Sequence, residues 1–372
     1  METIPALTPL CLAGDLHTRL MGLTLPADSS SRFVTGSSSW LPLLALGEIS
    51  RRNGKFGDAA SWVKKSVALH PDPEAILPRM AVFQCLAGAW QSGAAAIGRA
   101  DISDETSALE AAIDAAYAQG DNDAAYDGLM ALKNRRTLAR DTVLAARILD
   151  NVGERPQAVR LLKEHRETFP DDADFWQLLA EFANGATEGQ LGIEAARRAT
   201  ELSTTAPGPW MTLADRQSQL RLHPDAAASA RRALELDPGN SRATLLLTRA
   251  LTETGDLQGA YDTAYPAVSG GSADPELVVA LADLLERAGE IDESLVVLGQ
   301  ALDREEHPDY YAALGHIFGR AGRFEDALNA FDLALHHGAR PAVLAEAMKF
   351  VTQAARKAGV ELVSPVRAVF QE

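Results

Sequence analysis

Little in this chain could support catalysis, disulfides or a membrane span. Only two cysteines are present, Cys11 and Cys85, too few for a disulfide framework, so a reducing compartment is the expectation. Aromatic residues make up 6% of the 372 residues, which argues against large aromatic-filled cores. No apolar run approaches the roughly 20 residues that span a bilayer. The N-terminus has no basic start or long apolar stretch, because Asp15, His17 and Arg19 interrupt it, so no secretory signal is expected and the cytoplasm is the default. Positive charge is also scarce. Lys plus Arg number 35 against 51 Asp plus Glu, a net charge of −16, and a field of that sign repels phosphate backbones, so nucleic acid is not an expected partner.

Catalytic signatures are missing as well. There is no phosphate loop, zinc-protease helix motif, serine nucleophile elbow or dinucleotide glycine fingerprint. The glycine-rich stretch from Gly185 to Gly192 does not follow a strand and reads as a loosened turn. The His336–His337 pair has no cysteine or carboxylate nearby at ligand spacing, and suits a helix C-terminus instead. No catalytic residue, cofactor or metal site is expected, and the chain is not expected to be an enzyme.

What is present is a beat of about 34 residues from Trp40 to Pro341. Leu43-x-x-Leu46-Gly47…Gly54…Ala59-x-x-x-Val63…Pro71 aligns with Tyr311-x-x-Leu314-Gly315…Gly322…Ala327-x-x-x-Phe331. Units start near Trp40, Glu74, Thr106, Ala139, Ala173, Pro207, Ser241, Pro275 and Pro308. Position 20 of the unit is small in all nine: Ala59, Gly93, Ala125, Ala158, Gly192, Ala226, Ala260, Ser294 and Ala327. Position 8 is glycine or alanine in seven copies, with Ile113 and Thr248 the exceptions. Two helices joined by a short turn cross closely only where the crossing carries no bulk. Gly54, Gly120, Gly153, Gly255, Gly289 and Gly322 stand at position 15, where a left-handed residue ends the first helix. Asp121 and Asp256 follow as N-cap candidates. Pro71, Pro170 and Pro238 at position 32 end the second helix. Large residues at positions 4, 7 and 24, among them Trp176, Leu179, Leu213, Leu281, Leu298 and Phe331, are expected in the core.

This pattern resembles the tetratricopeptide repeat, a helix-turn-helix unit that buries its apolar face only by stacking on its neighbours. The resemblance implies an all-α, right-handed superhelical solenoid of about nine units. It divides the chain into an N-terminal extension with a Ser-rich linker at 1–39, the array at 40–341, and a capping helix and tail at 342–372. Val343 to Ala358 reads as one amphipathic helix with Leu344, Met348 and Val351 on a shared face.

The resemblance also implies a concave groove lined by positions 2, 5, 9 and 12 of the first helices. Position 9 reads Glu48, Val82, Asp114, Arg147, Glu181, Asp215, Arg249, Asp283 and His316. Arg147 and Arg249, with Arg140 and Arg242 before them, are candidates to grip carboxylates of a peptide, since a guanidinium pairs bidentately with them. The alternative is that Asp114, Asp215, Asp283 and their like in neighbouring units already neutralise these arginines. Position 5 includes Leu44, Val143, Met211, Leu245 and Val279, either an apolar groove floor or packing within the solenoid. No copy pairs lysine at position 5 with asparagine at position 9, which disfavours binding of chaperone C-termini. The basic cluster Lys133, Arg135, Arg136 and Arg140 reads as a solvated loop.

The expected function is a non-catalytic scaffold or adaptor holding a protein or peptide segment. Alternatives are a regulatory subunit of an enzyme complex, as in envelope or polysaccharide assembly, and a homo-oligomeric structural protein. The Ala- and Arg-rich composition hints at a bacterial origin. A further expectation places the apolar segment Pro5–Met21, on its serine-rich tether, in the protein's own groove.

Overall fold

The computed structural model of the chain describes residues 40–133, 138–270 and 274–360. The extension at 1–39, the cluster residues Arg135 and Arg136, and the tail after Val360 lie outside the described residues. Within them the chain is all-α. Nine helix pairs follow one another: α1 Trp40–Arg52 and α2 Phe56–Val67; α3 Leu77–Leu86 and α4 Trp90–Ala96; α5 Glu105–Ala118 and α6 Asn122–Lys133; α7 Ala139–Asn151 and α8 Arg155–His165; α9 Ala173–Phe182 and α10 Gly185–Leu202; α11 Pro207–Gln219 and α12 His223–Leu236; α13 Ser241–Thr254 and α14 Leu257–Ser269; α15 Pro275–Ala288 and α16 Ile291–Leu302; α17 Pro308–Arg320 and α18 Phe324–His336. A last helix, α19, spans Pro341–Lys357. The described residues form two compact units that divide within α9, between Phe175 and Trp176.

The small residues set the crossing within each pair. A Cβ on Gly315 would stand 2.5 Å from the Phe331 ring, and one on Gly93 would meet the Ala81 carbonyl at 2.7 Å. A Cβ on Gly192 would overlap the Ala183 carbonyl outright. The polar exception, Ser294, is fully buried and donates its hydroxyl to the Ala282 carbonyl at 2.9 Å, so it leaves no unpaired group in the core.

The turns follow the glycine pattern. Gly54, Gly120, Gly153, Gly255, Gly289 and Gly322 are all left-handed, with φ between 67° and 87°. Gly88 does the same at the matching position of the second pair. Asp256 caps α14 by accepting from the Gly259 amide, and Asp121 accepts from the Ala124 amide at the start of α6. In the sixth pair Arg221 takes the glycine's place, at φ 59°, and closes the same two backbone bonds, its amide donating to Ser218 and that of Leu222 to Gln217. Among the described residues no other non-glycine has positive φ.

The first unit has a core built around Val63, Phe83, Leu109, Ile113 and Leu132. The second has a core running from Ala214 to Ile317 through Leu245, Leu277, Leu281 and Leu298. Phe331 and Leu328 form a further cluster with Leu344, Met348 and Val351 of α19. Of the expected core residues, Trp176 is only half-buried, and its neighbour Phe175 is fully buried instead.

Two substitutions test this account by thermal denaturation. Arg221→Gly should raise stability by about 1 kcal/mol, since an L-residue in the left-handed region costs roughly that much. Gly192→Ala should lower it by about 1–3 kcal/mol, the range for overpacking. A destabilising Arg221→Gly or a neutral Gly192→Ala would contradict the geometry.

Candidate functional site

In the first unit, the position-9 residue Glu48 is not a groove residue open to solvent. It is buried at the centre of an ionic network across three helix pairs. Arg51 donates to both Glu48 oxygens at 2.8–2.9 Å and to Asp127 at 2.8 Å. Arg52 donates to Glu48 at 2.9 Å. Arg79 forks onto Asp121 at 2.6 and 2.8 Å and lies 3.8 Å from Glu48. Burial pushes the Glu48 carboxyl up, but the bonds and charge of Arg51, with Arg79 and Arg52, more than reverse this and hold it at about 2. Burial opposes the charge on Arg51 and Arg79 too, and their carboxylate partners outweigh it, holding both guanidinium groups above their ordinary range. Asp127 is moved the other way. Its burial raises it beyond what its bond to Arg51 can offset, and the nearby Asp123 and Glu48 add to the rise. Sequence reasoning did not find Arg79, Asp121 or Asp127 as partners, because they meet only after stacking; it also passed over Arg51, which stands three residues from Glu48 on the same helix.

Farther along this unit, Arg140 is exposed and ion-paired with Asp114 of the preceding pair. Arg147 is exposed.

The second unit carries a chain of charges on its first helices. Asp215 accepts from Arg216 at 2.5 Å and from Gln219 at 3.0 Å. Arg242 stands 4.0 Å from Asp215 and 3.5 Å from Glu276. Arg249 reaches the same Glu276 oxygen at 3.3 Å. Arg249 therefore pairs with position 2 of the next helix pair, and not with Asp215 or Asp283 as its register suggested. Arg287 bridges Glu253 at 2.8 Å and Asp283 at 3.0 Å. Arg320 pairs with Glu286 and lies 3.9 Å from Asp283. His316 sits edge-on to Phe331, ring centroids 5.2 Å apart. Burial, and then the charge of Arg320, hold its pKa below the ordinary histidine value in spite of Glu286 and Asp283.

The apolar candidates divide. Leu245 is 1% exposed and belongs to the core, so it does not line a groove. Met211 and Val279, its counterparts on α11 and α15, pack against that core and remain half-buried.

The charges at Arg242, Arg249, Asp215 and Glu276 are loosely paired. Two guanidiniums, each 51% exposed in its side chain, share one carboxylate that is itself 50% exposed. The contacts, at 3.3 to 4.0 Å, are longer than those of Arg287 with Glu253. Each guanidinium has five donors, so this pair keeps free donors facing water.

The Glu48 network yields a pH prediction. Its folded pKa lies below its unfolded one, so its stabilisation is full above about pH 4.5 and is lost as pH falls toward 2. Urea denaturation should show a loss on the order of 3 kcal/mol between those limits, and Glu48→Gln should flatten that limb while lowering stability at neutral pH. An unchanged acid limb in the variant would assign the acid sensitivity to other carboxylates.

Comparison with known proteins now adds to this geometry. A family model described as tetratricopeptide repeat matches residues 211–272 and 279–343. No curated protein shows a significant match. Among solved structures, a tetratricopeptide repeat protein from Parabacteroides merdae ATCC 43184 is similar over 66% of this chain and 98% of its own, with 15% identity and a TM-score of 0.56. A weaker likeness is to the APC/C hetero-tetramer Cut9-Hcn1, with 12% identity over 84% of this chain and 70% of that one, TM-score 0.44. Another is to YrrB, described as a TPR protein with an unusual peptide-binding site, with 17% identity over 52% of this chain and 97% of that one, TM-score 0.37. The repeat signature, the helix pairs and the likeness to the P. merdae fold agree on a tetratricopeptide-repeat fold, and the family model itself matches residues 211–272 and 279–343.

Proposed function

We infer that this protein is a non-catalytic scaffold whose second unit holds a carboxylate-bearing segment of a partner protein on Arg242 and Arg249. The tetratricopeptide fold is generally a protein–protein interaction scaffold, and this reading adds the site. The observation that carries it is the loose pairing at Glu276, which two half-exposed guanidiniums contact at 3.3 and 3.5 Å, with Arg242 a further 4.0 Å from Asp215. An incoming carboxylate can take the free donors, or displace Glu276, without uncovering a buried charge. Displacement costs little because exposed ion pairs contribute only about 0–1 kcal/mol, while a charge-assisted fork is stronger and directional. Arg287 and Arg320 are about as exposed, but each already has a close carboxylate partner.

No helix of the described residues is long and apolar enough to cross a membrane. The cysteine count of the sequence supports a cytoplasmic setting for the encounter, and its composition a bacterial one.

The test is fluorescence anisotropy with an acidic peptide library and its Glu→Gln counterparts, titrated against the full chain. Selected acidic peptides should bind roughly tenfold more tightly than their Gln forms, a difference of about 1.4 kcal/mol, and should weaken with added salt. Arg242→Ala/Arg249→Ala should abolish the Glu/Gln difference with helical content unchanged. A double variant that still prefers Glu would sink the assignment.

A further inference from the structure

The last helix is more than a cap. Its buried stripe, Leu344, Met348 and Val351, has the spacing of Leu277, Leu281 and Leu284 on α15, which are buried in their own cluster. Aligning those stripes puts Val343 in register with Glu276 and Phe350 with Asp283. The same alignment to α17, where Tyr310 and Ile317 are buried, matches Val343 to Asp309 and Phe350 to His316. Val351 lies so close to α17 that a Cβ on Gly319 would stand 2.8 Å from it, so the face carrying Phe350 adjoins the face carrying His316. The row of residues that holds the charges of α13, α15 and α17 thus ends in two large apolar side chains.

Their exposure is unusual in this molecule. Val343 is 70% and Phe350 65% exposed, the two highest values among the large hydrophobic side chains of the described residues. Capping does not require this. A cap needs a polar outer face, and α19 has one where a second helix would otherwise pack: Lys349 and Thr352 stand where α15 has the buried Ala282 and Leu285. The apolar pair lies instead in register with the charged row of α13, α15 and α17.

We propose that Val343 and Phe350 form an apolar anchor site for the same partner segment, which carries a carboxylate for Arg242 and Arg249 and a bulky apolar side chain farther along. The inference rests on the reading of those arginines given above. Charge complementarity defines one end of the occupant and the apolar pair the other. First helices pack at intervals of roughly 10 Å, so α13 and α19 stand about 30 Å apart along the row. An extended chain covers that distance in about nine residues. The partner is therefore an extended acidic–apolar peptide, with its acid and its large apolar residue separated by about that spacing.

The experiment uses the full chain and a peptide series in which one Glu and one Phe are separated by a polar spacer of stepwise length. Wild type should bind most tightly at the spacing of about nine. Phe350→Ser should weaken that peptide roughly tenfold, the effect of losing a buried aromatic contact, and leave a Phe-free acidic peptide unchanged. Val343→Ser should act in the same direction, and both residues are exposed, so circular dichroism should show an intact fold. Arg249→Ala should weaken both peptides. If Arg249→Ala weakens binding but neither serine variant does, the anchor site is overturned and the arginine site stands. Should the serine variants act while Arg249→Ala does not, the arginine reading fails and with it the two-ended ligand. If none of the series binds, both readings fall. Concentration-dependent dimerisation that Phe350→Ser removes, without any peptide effect, would give this face to a second copy of the chain and overturn the proposal.

Discussion

Two helices can approach as these do only where the point of contact carries almost no side chain, and the rest of the molecule depends on that contact. A Cβ on Gly315 or Gly93 would run into the partner helix, and the buried alanines Ala59, Ala125, Ala226, Ala260 and Ala327 play the same part in other pairs. Close crossing makes each pair thin and commits one face of its first helix to its own second helix. The next face, with residues such as Leu277 and Leu284, is buried as the pairs stack. One row on each first helix remains, and it is on that row that Arg242, Glu276, Asp283 and His316 stand.

The two units use that row differently. In the first, Glu48 at the row's position 9 is covered by Arg51, Arg52 and Arg79, and the network is largely withdrawn from water. Buried pairs of this kind are costly to break, because removing one partner strands the other. They lock the first three pairs in register, and the exposed charges of this unit's row are left to Asp114, Arg140 and Arg147. In the second unit Arg242, Arg249, Arg287 and Arg320 remain about half exposed. Their pairs are weak and screened by salt, which lets partners be exchanged.

The fold could be read from sequence because its determinants are local and periodic. Glycine at the turn and a small residue at the crossing act within one unit, so their spacing survives as a pattern. Arg221 shows the limit of this legibility. The backbone there adopts the glycine conformation without a glycine, because the geometry of the pair over-determines it. The site was less legible because its contacts join residues from different units. Arg79 and Asp121 belong to different pairs and different helix positions, and no periodicity links them. Arg249 takes Glu276 instead of the acids at its own position, because side-chain reach and not register decides which acid it meets. Leu245 fell within a candidate groove position but is enclosed by a cluster to which Met211 and Val279 add cover. The exposure of Phe350 was hidden for another reason. The sequence shows an amphipathic helix, but not which apolar residues the neighbouring pair leaves uncovered.

Charge alone would make a poor binding site here. A ligand carboxylate meeting Arg242 and Arg249 competes with Glu276, which is covalently held nearby, and the gain is only the difference between two exposed pairs. A difference of about 1 kcal/mol lies far from the roughly 8 kcal/mol that micromolar binding requires. The remainder must come from burying apolar surface, at about 25 cal/mol per Å². On the charged row of the second unit Met211 and Val279 are already half-buried and Leu245 is closed. Val343 and Phe350 are the large apolar side chains on that row with most of their surface still in water. A scaffold built this way would use its arginines to select which segments dock and its final helix to hold them.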